Sequence, residues 1–396
     1  MGDIRAALRH PVVRLGAAAI FLYGFAGAAT SPFQSVVAIT GLGLGDRAYA
    51  ALILIAAFAN VALSIGVGLF ADRLGSYRMP LLAVSAAGVL GYGAIWLWPS
   101  AAMFVLAMIG PLAVFHALNP LLFGTVRART AGMTAREVET VSTLMRMMIS
   151  LAWVLTPGLV ALALRGQPTM LPAWAIAAGG VAVGGALIAL ALPPEPKGAR
   201  PPASHPASRD LIRLVAPGLL ARVLGVALVS QVLHVNAAVL PLIVTGQAGG
   251  TSEDIGLIVG LVAVLEAIFM LVWAALIRRV SLSAALLVTA VLYMVYLMAL
   301  AYAVAPWQVY AASLVGGFAA ASIILLPLGY LLGLIEDRPA LSASLIAVNS
   351  FAGAALGAGV FAAGTAIGGY PGAAVLSGLA GVMGAALIAA LERRGA

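Results

Sequence analysis

Apolar residues run through this chain in stretches of about twenty or more, separated by short polar connections. A helix needs about 20 mostly apolar residues to cross the hydrocarbon layer of a bilayer, so each run predicts a transmembrane helix. The runs place spans near 13–38, 48–70, 79–97, 101–125, 138–163 and 172–192, then near 216–245, 255–277, 283–304, 308–332, 341–366 and 372–391. Segment 193–210, PPEPKGARPPASHPASRD, is the one long polar run and reads as a flexible linker. The expected architecture is an all-α membrane protein of twelve helices in two pseudo-symmetric six-helix bundles. These cover 1–192 and 216–396, joined by a cytoplasmic linker over 193–215. The first run is long and lacks a small-residue cleavage site, so it is expected to remain as a span.

Composition agrees with this solvent. The chain is 63% hydrophobic and 9% charged, against about 45–50% and about 25% in soluble domains. That excludes a soluble enzyme, a nucleic-acid binder and a disordered protein, and the connections are too short to hold a soluble catalytic domain. Cysteine is absent, which removes disulfides, thiolate metal sites and cysteine nucleophiles. No Walker-type phosphate loop is present, so ATP is not the energy source.

The net charge of +8 reflects topology. Arg5, Arg9, Arg14, Arg73, Arg78, Arg127, Arg129, Arg136, Lys197, Arg200, Arg209, Arg213, Arg278, Arg279, Arg338, Arg393 and Arg394 all fall on one side of the predicted spans. Arg47 and Arg165 fall on the other, and Arg146 and Arg222 lie in or near spans. Basic residues mark the cytoplasmic side, so both termini are expected there and the span count is even. Lys197 is the only lysine, a bias that reads as a GC-rich bacterial genome and hence a bacterial inner membrane. Glycines sit inside the spans, as in Gly179, Gly180, Gly184 and Gly185 or Gly353, Gly357 and Gly359. Small residues let helices approach closely in lipid.

The connection after the second span reads Gly68-Leu69-Phe70-Ala71-Asp72-Arg73-Leu74-Gly75-Ser76-Tyr77-Arg78. It resembles the signature loop of the major facilitator superfamily, matching at Gly68, Ala71, Asp72, Arg73 and Gly75, with Ser76 and Tyr77 in place of the basic pair. Gly75 allows a tight turn. Asp72 can meet a helix N-terminus or an arginine and latch the cytoplasmic side. Asp72, Arg73, Gly75 and Arg78 are therefore the candidate cytoplasmic gate, and the resemblance implies the major facilitator fold.

The fifth span carries a polar stripe. Glu139, Ser142 or Thr143, Arg146, Ser150 and Trp153 recur at three- and four-residue steps on one helix face. An arginine inside a span costs at least about 2.5–3.5 kcal/mol, so Arg146 should face a wet cavity and have a partner. Glu266 is the one acidic residue in the middle of a span, where a carboxyl can hold and release a proton for coupling. The other reading of Glu266 is a permanent salt bridge, with Arg146 as its partner. Weaker polar candidates are His116 and Asn119 in the fourth span, Gln231, His234 and Asn236 in the seventh, and Gln34, Asn60, Ser64, Asn349 and Ser350 elsewhere. Interhelical hydrogen bonding explains such groups equally well. The two span histidines belong to different halves and lack a carboxylate at ligand spacing, so no metal site is expected.

Ala135-Arg136-Glu137-Val138, Ser142, Met145-Arg146, Ser150-Leu151-Ala152-Trp153-Val154 and Pro157 together resemble the fifth-helix region of bacterial sugar efflux transporters, a branch of the superfamily. Gly24-Phe25-Ala26-Gly27-Ala28 with Pro32, Asn119-Pro120-Leu121-Leu122-Phe123 with Arg127, Pro241-Leu242 and Leu265-Glu266 are similar to other parts of that family. The stretch Tyr330-Leu331-Leu332-Gly333-Leu334-Ile335-Glu336-Asp337-Arg338-Pro339 is apolar at the positions where the family carries a polar pair ahead of its turn, and Val239-Leu240 precede Pro241 where an acidic residue can stand. The resemblance implies proton-linked export of sugars or similar small polar molecules by alternating access.

The expected protein is thus a secondary transporter and not an enzyme. It has no cofactor, its partners are a small-molecule substrate, protons and the bilayer, and it acts as a monomer. The runner-up is a multidrug or hydrophobic-metabolite proton antiporter of the same superfamily, favoured by the sparse polarity of the second half and by Phe33, Trp153, Phe269 and Trp273. A receptor should show an odd span count or a soluble module, and a lipid-modifying enzyme a cluster of acid, base and nucleophile. Neither pattern is present.

Overall fold

The computed structural model of the chain is described over residues 7–130, 132–193, 217–334 and 339–395. The linker expected over 193–215 lies outside the described residues apart from Pro193, as do Arg5, Lys197, Arg200, Arg209, Arg213 and Arg338. Among the described residues, 11 helices are long and apolar enough to cross a membrane. The first is α1 (Pro11–Thr30), continued by a 3-10 turn (Ser31–Phe33), an α turn (Gln34–Val36) and a π turn (Val37–Gly41). Then come α2 (Asp46–Leu74), α3 (Arg78–Leu97) and a crossing in three pieces, α4 (Ala101–Ile109), α5 (Pro111–Phe115) and α6 (Leu118–Arg129). They are followed by α7 (Ala135–Ala163), α8 (Pro172–Ala191), α9 (Pro217–Thr245), α10 (Ser252–Leu276), α11 (Leu282–Ala301), α12 (Pro306–Gly333) and α13 (Pro339–Gly395).

The chain forms two compact units. One comprises Met1–Leu44 and Phe58–Ser204, the other Gly45–Ala57 and His205–Ala396. The change falls inside α2, whose first turns belong to the second unit and the remainder to the first.

Helix starts follow local chemistry. Thr134 and Glu137 form a capping box at α7, and Thr251 and Asp254 do so at α10. Ser100 and Ser281 accept from backbone N–H groups three residues on, opening α4 and α11. Each cap satisfies donors that the first helical turn leaves without partners. Between α2 and α3 the chain turns at Gly75, whose φ of +61° suits a residue without a Cβ.

Two crossings predicted as continuous are interrupted. Gly110 takes φ −106° and ψ −102° ahead of Pro111, because proline disfavours the helical conformation in the residue before it. At His116–Ala117 the same crossing tightens into a turn whose dihedral angles stay helical. Pro120 has no N–H, so the His116 carbonyl loses the donor it would meet four residues later in a continuous helix. In the first crossing Pro32 does the same to the Ala28 carbonyl, and regular α-helix gives way there to the 3-10 turn.

The last apolar stretch, α13, consists of two helical limbs joined where Gly368 and Gly369 leave the helical region, between the spans that the sequence predicts at 341–366 and 372–391. It is bent at Gly368 and Gly369, the latter at φ +62°. Both limbs pack on α9. Gly357 leaves room for His234, while Ser377 and Gln231 exchange two hydrogen bonds at 2.9 and 3.1 Å.

Small residues set the packing distances within each unit. In the first, a Cβ on Gly24 would lie 3.3 Å from the Ile149 backbone, and one on Gly180 2.6 Å from the Phe25 ring. In the second, a Cβ on Gly384 would lie 2.6 Å from the Gly225 carbonyl oxygen. Large apolar side chains such as Ile55, Phe58 and Ile65 of α2 are exposed instead, as lipid-facing residues are. Trp96 and Trp98 at the end of α3, and Tyr302 and Trp307 around the start of α12, are exposed at helix ends, where amphipathic rings suit the headgroup layer.

Candidate functional site

In the first unit α7 supplies the charged stripe. Glu139, Thr143, Arg146 and Ser150 are exposed along one face, whereas Val141, Leu144, Met145 and Ala152 are buried. Glycines of α1 explain the buried face: Gly16 faces Met145, and Gly24 faces Ile149 and Ala152. Ser142 and Trp153 sit half-buried at the margins of the stripe. Arg146 lies roughly 15 Å along the helix from Arg136 at 1.5 Å per residue, and it makes no hydrogen bond or ion pair with another described residue of its unit. Pro157, further along α7, leaves the Trp153 carbonyl without its helical donor.

A neutral cluster in the same unit involves the interrupted crossing. The Tyr23 hydroxyl of α1 and His116 Nδ1 are 3.1 Å apart, and Asn119 stands three residues on from His116, one helical turn along the same crossing. Phe115 packs between Tyr23 and Tyr92, with ring centroids 5.3 and 5.6 Å away. His116 and Asn119 were legible as candidates. Tyr23 and Tyr92 were not, because a tyrosine in an apolar run reads as an ordinary core aromatic and its partner stands 93 residues away. Gln34 is half-buried without a side-chain hydrogen bond, and the Asn60 side-chain oxygen is buried without one.

In the second unit Glu266 of α10 is half-buried. Adjacent glycines of α12 place it. A Cβ on Gly316 would lie 2.9 Å from the Tyr296 ring, and one on Gly317 2.7 Å from Leu265 Cβ, so α11 and α10 both approach α12 closely. The Glu266 carboxylate consequently sits near enough to Tyr293 and Tyr296 to act on them electrostatically. Those rings are 5.1 Å apart, and Tyr296 donates to Asn236 Oδ1 of α9 at 2.9 Å. Glu266 makes no hydrogen bond or ion pair with a described residue of its unit. His234 is exposed beside Gly353 and Gly357, while Gln231 is locked against Ser377. Asn349 donates to Ser230 at 3.1 Å, a link between α13 and α9. The structure thus groups Asn236 with Tyr296 and Glu266, and leaves His234 apart. Trp273 donates to the Phe318 carbonyl, and it and Phe33 are buried in helix packing.

At the turn after α2, Tyr77 donates to Asp72 Oδ1 at 3.0 Å. The residue that replaces a basic one of the signature therefore binds the loop's own carboxylate. Arg73 is exposed. Arg78 donates from Nη2 to the Ala189 carbonyl at 2.7 Å, and Arg129 donates to the Pro193 carbonyl at 2.6 Å. Both arginines serve the carboxyl end of α8, where cations interact favourably with the helix dipole. Among the described residues no group of three His, Cys, Asp or Glu side chains comes together.

No family model matches the chain. Over 256 residues it is 30% identical to the Deinococcus radiodurans protein named "Putative sugar efflux transporter"; the match covers 64% of this chain and 66% of that protein, just under two thirds of its length. The fold is that of membrane transporters. The crystal structure of nucleoside transporter NupG superposes with a TM-score of 0.81 at 13% identity, covering 96% of this chain and 99% of that one. A POT family transporter crystallised with a thioalcohol-conjugated peptide gives 0.76 at 11% identity, covering 96% of each chain. The human organic anion transporter MFSD10 gives 0.59 at 16% identity, covering 96% and 99%. The chain is a multi-pass membrane protein, homologous to the Deinococcus protein of that name and related in fold to transporters rather than enzymes.

Proposed function

We propose that this homologue of a sugar efflux transporter exports sugars or similar small polar molecules in exchange for protons, by alternating access of two helical bundles. The carrying observation is the pair of mid-span charges, Arg146 on the polar face of α7 and Glu266 beside the tyrosines of α11, neither of them paired within its own unit. Charges in a bilayer are costly and mark substrate or ion pathways. Arg146, with Ser150 and Trp153, is assigned to cargo binding or coupling, and Glu266 to proton uptake and release. His116, Asn119, Gln34, Asn60, His234 and Asn236 are further candidates for the polar lining. Asp72, Arg73 and Gly75 form the cytoplasmic gate, and Arg78 anchors α8 beside it.

The bent α13 is read as two crossings. A straight helix of its 57 residues would be roughly 85 Å long, far beyond a hydrocarbon layer of about 30 Å. Counting its limbs separately gives twelve spans in two bundles joined through 193–215, with both termini cytoplasmic in a bacterial inner membrane, and the chain acting as a monomer.

Reconstitution tests this reading. Proteoliposomes with an imposed pH gradient should accumulate a radiolabelled neutral sugar, and adding sugar should move protons. Movement of a lipophilic cation without any sugar transport would instead assign the hydrophobic-cargo antiporter.

A further inference from the structure

We propose that Tyr23, His116 and Asn119 form a neutral recognition site for the ring hydroxyls of an uncharged sugar, built at the tightened turn of the fourth crossing. The proposal rests on the transport reading and deepens it: Arg146 and Glu266 serve coupling, while cargo identity is read by these three residues.

The backbone supplies the first argument. A proline inside a membrane helix frees a backbone carbonyl that neighbouring groups or water must satisfy. The fourth crossing tightens into a turn at His116–Ala117, whose dihedral angles stay helical, and Pro120 leaves the His116 carbonyl without its helical donor. An acceptor is therefore available beside the His116 ring.

Side-chain chemistry supplies the second. In the tautomer in which Tyr23 donates to His116 Nδ1, Nε2 carries the ring proton as a donor that no described residue satisfies, and in the other tautomer Nε2 is an equally open acceptor. The Tyr23 oxygen retains acceptor capacity, and the Asn119 amide carries both donors and an acceptor. Sugar hydroxyls each donate and accept, and a buried one left unpaired costs about 1–3 kcal/mol. The cluster offers both functions within one patch and contains no carboxylate, ammonium or guanidinium that would select a charged cargo.

Rigidity supplies the third. Tyr23, His116 and Asn119 are half-buried, but what supports them is buried. Phe115 is held between Tyr23 and Tyr92, and a Cβ on Gly88 would lie 2.4 Å from its ring, so α3 closes directly onto it.

The test is equilibrium binding to the full chain in lipid nanodiscs, by calorimetry, with glucose, galactose, maltose and lactose as probes. Tyr23→Phe removes one hydroxyl and keeps the ring on Phe115, and Asn119→Ala removes the amide. Each should weaken the best-bound sugar by about tenfold, or about 1.4 kcal/mol, without changing the melting profile of the protein. Unchanged affinity in both variants overturns the proposal. Loss of sugar binding in Arg146→Ala alone overturns it too, but leaves sugar export standing. A wild-type chain that binds none of the four sugars overturns both.

Discussion

The Tyr370 hydroxyl donates to the Asp46 carboxylate at 3.2 Å, and one turn further along α2 the Tyr49 ring meets Phe361 edge-on, with centroids 5.8 Å apart. Tyr370 in turn stacks on Phe361. All four residues belong to the second unit, which claims the first turns of α2, while the rest of that helix belongs to the first. On the alternating-access reading proposed above, this hydrogen bond and ring ladder are what movement of the first turns of α2 breaks.

The absence of cysteine makes the break directly measurable. Ala50 is buried next to Tyr49. A single cysteine at that position should react slowly with a membrane-impermeant maleimide. Adding Tyr370→Phe and Asp46→Asn should speed labelling severalfold. An unchanged rate would mean that the ladder holds nothing closed.

Glu266→Gln should abolish accumulation driven by a pH gradient while leaving exchange of labelled for unlabelled cargo intact. The reasoning is that an amide preserves shape and hydrogen bonding but cannot bind and release a proton. Parallel uptake and counterflow assays on one preparation check it. Accumulation that survives in the variant would remove the proton role from Glu266.

Arg78 offers a separation of anchoring from gating. Its bond to the Ala189 carbonyl is charge-assisted and closes the end of α8. Because the side chain is half-buried, the solvent-screened cost of Arg78→Ala is put at about 1 kcal/mol. The variant should melt at a lower temperature in detergent yet transport at the wild-type rate per folded molecule. Asp72→Asn should behave oppositely, with normal melting and altered transport.

How far the sequence reached can be judged from particular residues. The crossings were visible because hydrophobic length is a local property. The stripe through Glu139, Arg146 and Ser150 was visible because helical periodicity is too. The departures from regular α-helix at Pro32, Gly110-Pro111 and Pro120 had local signals as well, but a run of apolar residues hides them when only its length is read. Pairings were not legible. Tyr23 with His116, Tyr296 with Asn236, and Arg78 with Ala189 are joined only by helix packing, across 93, 60 and 111 residues. The replacement of a basic signature residue by Tyr77 looked like a loss, and it acquired meaning only when the ring was found on Asp72.

The last prediction concerns the glycines, whose roles composition alone could not separate. Gly384 of α13 and Gly225 of α9 meet backbone to backbone, and a Cβ at 384 would also lie 2.5 Å from Leu228 Cβ and 3.1 Å from the Val229 nitrogen. Two main chains cannot yield as a side-chain tip can, so Gly384→Val must push α13 away from α9. Overpacking of this kind costs about 1–3 kcal/mol. Gly359, on the other limb of the same helix, is exposed, and a Cβ there would meet nothing within 4 Å. Gly359→Ala should therefore leave thermal stability unchanged or slightly raised, since alanine favours helix over glycine by up to about 1 kcal/mol. Melting curves of the two variants in the same detergent provide the check. Equal destabilisation by both would mean that glycine in α13 serves backbone flexibility rather than the close approach of α9.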